Sequence, residues 1–332
     1  MMVTIKDVAK HANVSITTVS RVLNQTEHSV NSETRERVLN AIKELRFYPN
    51  AMARGLHLNK TKTIGLIVQD ISNPYYPSIV RGVEDAAQEL GYTVILANAY
   101  RSRERTTKYL NVLREKRVDG IIFTGGGAVK DAAEDNFFER NPVSTVVIGK
   151  SFNAKIPSVQ VNNVQASREA CEHLIRQGHR QIVTVTGPED STTAIDRLEG
   201  YRQALMANGI DYREELVLRC NFEFDEGYKA VEKFLDVSND KATAVFAQND
   251  MMAIGIMKAL QEKGLKVPEN VAVIGFDNIP LASFVTPMLS TVAVPIYELG
   301  RTAMRIMSDL QSGHEISRIT TLPTKLLLRQ SC

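Results

Sequence analysis

The sequence predicts an amino-terminal all-α helix-turn-helix domain joined to a larger α/β body of two doubly wound parallel-sheet lobes. Three observations predict it. The first 62 residues offer only short helices separated by tight turns, and they hold a surplus of positive charge. From Thr63 onward, apolar strand-like runs alternate with amphipathic helices, the rhythm of a parallel sheet covered on both faces. That rhythm restarts at Gln181, which divides the body in two.

The bulk numbers are compatible with this layout. A chain of 332 residues has room for two or three domains, and 43% hydrophobic with 23% charged residues is ordinary globular composition. No run approaches the ~18–20 apolar residues of a membrane span. The start, MMVTIKDVAKHA, lacks the basic-then-apolar layout of a signal peptide. Cys171, Cys220 and Cys332 are scattered and odd in number, so neither a disulfide framework nor a zinc site is expected. A cytoplasmic protein without membrane contact follows as the expectation. The first 62 residues carry ten Lys or Arg against five acids, which leaves the remainder of this +2 chain at −3. A basic head on an acidic body points to a polyanion partner for the head.

Thr4 and Asp7 have the spacing of a capping box, so a first helix should run through Val8, Ala9 and Ala12. Asn13-Val14 makes a turn, and Ser15 suits the N-cap of a second helix. That helix, ITTVSRVLN, is rich in β-branched residues and poor in intrinsic propensity. At about 100° per residue, Thr18, Val19, Val22 and Leu23 share one side. Ile16, Thr17, Ser20, Arg21 and Asn24 share the other. The inner side packs; the outer side carries short hydroxyls, a methyl-rich side chain and an arginine, groups suited to base edges and phosphates. A third helix is expected with Ser32 as cap and Val38, Leu39, Ile42 and Leu45 as its buried stripe. Two short helices with a tight turn, a third helix and positive charge fit a helix-turn-helix, and a small protein-binding three-helix bundle fits the same pattern.

Pro49 should stop the third helix, and Asn50 can cap a short segment over residues 51–57. So short a helix is marginal alone, and Gly55 weakens it further. Beyond it come the strands of the first lobe (TIGLIV, YTVILANA, GIIFT, VSTVVIG), then those of the second (QIVTVT, TAVFA, VAVIGFD). Loops at the carboxyl ends of two such sheets, facing each other, form a ligand cleft.

TIKDVAKHANVSITTVSRVLN and its continuation through VNSETRERVLNAIKELRFYPNAMARGLHLNKTKTIGLIV resemble the LacI/GalR family of bacterial transcription regulators, and the likeness extends over essentially the whole chain. In general layout the stretch resembles the ribose and purine repressor branches, although the Ile16-Thr17 pair does not name an operator. The body also resembles periplasmic sugar-binding proteins, with FAQNDMMAIG and VIGFDN near the ribose-binding type. The resemblance implies a DNA-binding domain at 1–48, a hinge and linker at 49–62, and a ligand-binding and dimerisation domain at 63–332. Lobe 1 would comprise about 63–161 with 294–323, and lobe 2 about 162–292 with 324–332. It implies that Ile16 and Thr17 read bases, assisted by Ser20 and Arg21. Thr4, Ser15, Thr18 and Asn24 would contribute from the same domain. In the hinge, Asn50, Ala53 and Arg54 would lie at the groove, and Leu56 would wedge open a base step.

For the cleft, the resemblance implies ligand contacts from Asn73, Tyr75, Tyr76, Arg197, Phe222, Asn249 and Asp277. Two departures stand out. Sugar-binding relatives often carry an acid where this chain has Gly149-Lys150, and a glutamine where it reads Val294-Pro295. Lys150 is therefore a further candidate, facing an acidic or phosphorylated ligand. Helix capping by Asn249-Asp250 and an internal Arg197–Asp277 pair are the plain structural alternatives.

No catalytic signature competes. TGGGA at 124–128 is neither a P-loop nor a dinucleotide fingerprint, and H-E-x-x-H and G-x-S-x-G are absent. The six histidines lack metal-ligand spacing, and no cofactor is expected. The expected function is a non-enzymatic repressor of a carbohydrate-use operon. It would bind a pseudo-palindromic double-stranded operator as a homodimer or tetramer and answer to a sugar or sugar derivative. A catabolite-control regulator answering to a protein corepressor and a free-standing sugar-binding protein are the alternatives.

Overall fold

The structure, a computed structural model, describes residues 3–24, 30–47, 60–125, 137, 143–151, 153, 155–238 and 242–332. It forms two compact units, Met1–Thr61 and Lys62–Cys332.

The first unit has three helices, α1 (Ile5–His11), α2 (Ile16–Asn24) and α3 (Ser32–Glu44). Thr4 opens α1 by donating its backbone N–H (2.8 Å) and its hydroxyl (2.7 Å) to the Asp7 carboxylate. Asn13 turns the chain in the left-handed region, which asparagine tolerates. Ser15 Oγ accepts the Thr18 N–H at 3.0 Å and caps α2. The poor helix former α2 is held by tertiary packing: Val19 and Val22 are buried with Val8, Ala9, Ala12, Val38 and Ala41. Two local expectations fail. The cap of α3 is Asn31, whose Oδ1 accepts the Thr34 N–H at 2.8 Å, and Ser32 is already inside the helix. Leu39 is half exposed, because it lies about 100° round the helix from Val38, and Ala41 takes the inward place.

The second unit contains two six-stranded sheets. The first is formed by β1 (Thr63–Val68), β2 (Thr93–Asn98), β3 (Gly120–Thr124), β4 (Ser144–Ile148), β5 (Ser158–Val161) and β11 (Ile319–Leu322), in the order β11-β5-β4-β3-β1-β2, all parallel. The second is formed by β6 (Ile182–Thr186), β7 (Val217–Arg219), β8 (Ala244–Ala247), β9 (Ala272–Asp277), β10 (Ser290–Ala293) and β12 (Lys325–Leu327), in the order β12-β10-β9-β8-β6-β7. Its pairs are parallel except β12, which runs antiparallel to β10. That exception departs from the all-parallel expectation and has a simple cause. β11 leaves the first sheet at its carboxyl end and β12 follows after two residues, too short a link for a parallel crossover.

Helices α4 (Tyr75–Glu89), α5 (Arg103–Glu115) and α10 (Ile296–Ser312) belong to the first lobe, and α6 (Asn163–Arg176), α7 (Thr192–Ala207), α8 (Phe224–Ser238) and α9 (Asp250–Glu262) to the second. The chain passes between lobes after β5, after β10 and after β11. Helices meet through glycines. A Cβ on Gly82 of α4 would fall 2.1 Å from the Tyr297 carbonyl of α10, and one on Gly300 would fall 2.3 Å from that of Ile79. Gly227 and Gly255 seat α8 on α9 in the same way, with Cβ approaches of 2.2 and 2.1 Å to the Met252 and Phe224 carbonyls. Because the obstruction is backbone, relief requires the helices to separate. Gly82→Ala is expected to lower stability by about 1–3 kcal/mol, read from urea midpoints at unchanged m-value. Among the described residues no helix is long and apolar enough to cross a membrane.

Candidate functional site

Strand-end loops of both sheets line a cleft of about 270 Å³, just under the usual range for small-ligand pockets. The loop after β1 supplies Asn73, Tyr75 and Tyr76. Asn73 Oδ1 accepts the Tyr75 N–H at 2.9 Å and so shapes the start of α4. The two tyrosine rings meet edge to face, 5.3 Å apart at 89°, and the Tyr76 hydroxyl donates to Gln69 Oε1 at 3.0 Å. Burial pushes both phenols well above their ordinary range.

The second lobe is centred on Arg197, buried in the second turn of α7. Its Nε donates to Asn163 Oδ1 (2.9 Å), one terminal nitrogen to Asp277 Oδ1 (3.1 Å), and the other to the Gln248 carbonyl. The guanidinium also lies over the Phe276 ring, 3.6 Å from its centroid. Burial pushes the Asp277 carboxyl up to about 6, against the pull of Arg197. Asn249 caps α9 by accepting the Met252 N–H (2.9 Å) and donates to the Phe222 carbonyl (2.9 Å), leaving one amide hydrogen for a ligand. Asp250 is fully buried and caps nothing. It accepts from the Ile279 N–H (2.8 Å) and the Thr291 hydroxyl (2.5 Å), tying the loop after β9 to β10. Burial, reinforced by the charge of Asp277, raises its carboxyl to about 8.

The structure thus brings Asn73, Tyr75, Tyr76, Arg197, Phe222, Asn249 and Asp277 to one cleft. Lys150 does not join them: its ammonium pairs with Asp196 Oδ1 at 2.8 Å, linking the end of β4 to α7 in the other lobe. Sequence reasoning passed over Gln69, Arg101, Gln160 and Asn163, which also line the cleft. The available signal was position, since Gln69, Arg101 and Asn163 follow the carboxyl ends of strands and Gln160 is the next-to-last residue of β5. Backbone strain gathers here too. Tyr100, Arg101, Phe222, Asp277 and Asn278 all have positive φ, sparsely populated for such residues. Spare donors on Arg197 and Asn249, an acceptor oxygen on Asp277 and three aromatic rings suit forked bonds to vicinal hydroxyls and cover for an apolar ring face. Among the described residues no cluster of His, Cys, Asp and Glu has metal-binding geometry.

In the first unit, Ile16, Thr17 and Arg21 are exposed on one side of α2. Ser20 is half buried with a partner of its own, and Ser15 and Thr18 bond to each other at 2.9 Å. Thr4 is engaged in its capping box, and Asn24 closes α2. Asn50, Ala53, Arg54 and Leu56 lie outside the described residues.

Two family models match: bacterial regulatory proteins of the lacI family over residues 4–50, and periplasmic binding proteins and sugar binding domain of LacI family over residues 61–330. The chain belongs to the LacI family. Catabolite control protein A of Priestia megaterium is 38% identical over 100% of this chain and 99% of its own length. The ribose operon repressor of Halalkalibacterium halodurans is 37% identical over 99% and 97%. A crystal structure of the lac repressor dimer, bound to operator and the anti-inducer ONPF, superposes with a TM-score of 0.88 at 28% identity, covering 100% of this chain and 99% of that one. These LacI-family relatives are transcription regulators, and their two-part architecture is the one found here.

Proposed function

We propose that this LacI-family chain is a sequence-specific DNA-binding repressor of carbohydrate-use genes, acting in the cytoplasm without catalysis. A sugar-derived small molecule held between its lobes controls it. The observation that carries this reading is the joining, in one chain, of an α2 whose exposed side is Ile16, Thr17 and Arg21 to a cleft built on Arg197, Asp277, Asn249 and paired tyrosines. The relatives' names, a ribose operon repressor and a lac repressor dimer on its operator, support operator DNA and a dimer here also. Exposed Leu281, Phe284 and Met288 offer apolar surface for such a dimer. Two-fold symmetry then asks for a pseudo-palindromic operator.

The test is recovery of genomic fragments by the purified protein at near-physiological salt. One pseudo-palindrome beside sugar transport or catabolic genes is the expected product. Sequence-independent recovery that vanishes as salt rises would reduce the claim to electrostatics. On the recovered site, Ile16→Ser with Thr17→Ala should cost about 1–3 kcal/mol of discrimination per base pair read, while non-specific binding stays within about twofold.

A further inference from the structure

A second cavity, of about 310 Å³, adjoins the first. Asn73, Tyr76, Arg101 and Phe222 line both, so the inner chamber and this vestibule meet where Arg101 of lobe 1 approaches the Phe222 ring of lobe 2, 5.6 Å from its centroid. The vestibule adds Asp70, Tyr100, Asn221, Glu223 and Asp225. Its wall therefore draws on the loop after β1, the loop after β2 and the segment leading into α8, from both lobes.

The charges of this wall do not satisfy one another. Among the described residues Arg101 has no carboxylate within ion-pair distance, and Glu223 and Asp225 have no cation within it. Among the described residues the Asp70 carboxylate accepts only from Ser72, through its N–H (3.0 Å) and hydroxyl (2.8 Å). A ligand ion of either sign would meet like charge here. A hydroxyl, by contrast, donates to a carboxylate and accepts from a guanidinium, so a polyhydroxyl group satisfies both kinds of residue at once. Tyr100, a residue 58% exposed with Arg105 5.7 Å from its ring centroid, supplies an apolar face beside them. Tyr100, Arg101 and Phe222 are all held at positive φ, so strained backbone borders the passage itself.

We propose that the vestibule is a second sugar subsite, and that the effector is an uncharged saccharide of at least two units. One ring occupies the inner chamber, and the next lies against Tyr100, Arg101 and Glu223. This rests on the reading of the cleft as the effector site, and extends it by assigning chain length and charge.

The test uses the full chain and calorimetric titration with glucose, galactose and ribose, with maltose, cellobiose, lactose and sucrose, and with glucose 6-phosphate. A disaccharide is expected to bind at least about tenfold more tightly than either of its constituent monosaccharides, since one charge-assisted hydrogen bond is worth that factor. Glu223→Gln and Tyr100→Asn, at residues that line the vestibule and not the inner chamber, should each remove that advantage and leave monosaccharide binding unchanged. Equal or tighter binding of a monosaccharide, preference for the phosphorylated sugar, or equal losses for one and two rings in either variant would overturn the proposal. So would failure of every disaccharide to bind a protein that still selects its operator, an outcome that leaves the repressor reading standing. Loss of operator selection itself would instead remove the reading on which the subsite rests.

Discussion

Arg197→Ala is expected to lose sugar binding and about 3–5 kcal/mol of stability, the usual consequence of removing one partner from a buried ion pair. Four interactions disappear together: the bonds to Asp277, Asn163 and the Gln248 carbonyl, and the stack on Phe276. What remains is worse than a void, because the buried Asp277 carboxylate loses its only described cation and must take up a proton. Arg197→Lys keeps the charge but not the fork, so it should recover part of the stability and little of the sugar affinity. Urea denaturation and calorimetric titration on the two variants separate these effects. A fully stable Arg197→Ala protein that still binds its sugar would remove the residue from both roles. Operator affinity without effector should change little in the Arg197→Lys protein.

The second large effect is a fall in stability as pH rises. Asp250 is held protonated up to about 8 in the folded chain, whereas in the unfolded chain it ionises near its ordinary value of 3.8. Below about 4 both states hold the proton and the fold has its full stability. Between about 4 and 8 only the folded state holds it, so each pH unit costs up to about 1.4 kcal/mol. Above 8 the loss is complete. Asp277, raised to about 6, adds the same sign over the lower part of that window. His173 and His179, lowered mainly by burial, act oppositely, destabilising the fold as pH falls below their ordinary 6.5. From pH 6.5 to 8 the contributions of Asp277 and the two histidines fade and Asp250 dominates the slope. Urea midpoints should decline across this interval in the native chain and stay nearly level in Asp250→Asn; the same slope in both would acquit Asp250.

Much of this was legible in the sequence because it is periodic or local. The inward side of α2 followed from the spacing of Val19 and Val22, and the strand-helix rhythm located the two sheets. Thr4, Asp7 and Ser15 announced helix starts through three-residue hydrogen bonds that need no tertiary information. The illegible parts depend on partners distant in the chain. Lys150 stands next to a strand end that faces the cleft, and only the fold reveals that Asp196 captures it. Asp250 reads as a helix cap beside Asn249, yet its bonds go to Ile279 and Thr291. Arg101, in a loop without motif, gains meaning only from Phe222 on the facing lobe. Asn31 and Ser32 were equally good caps by residue type, and backbone geometry alone chose between them.

The strand order also fixes a sequence of events during synthesis. The three-helix unit is closed by contacts within its first 47 residues and has a complete core once they have left the ribosome. Lobe 1 cannot be finished so early: α10, which covers α4, and β11, which completes the sheet edge beside β5, come from residues 296–322. Leu299 of that late helix is itself part of the cleft wall. Its long-range pairings make the body the slow partner in folding, exposed to aggregation while it waits. The nascent polypeptide therefore owns its DNA-reading helices well before it owns a place for the molecule that governs them.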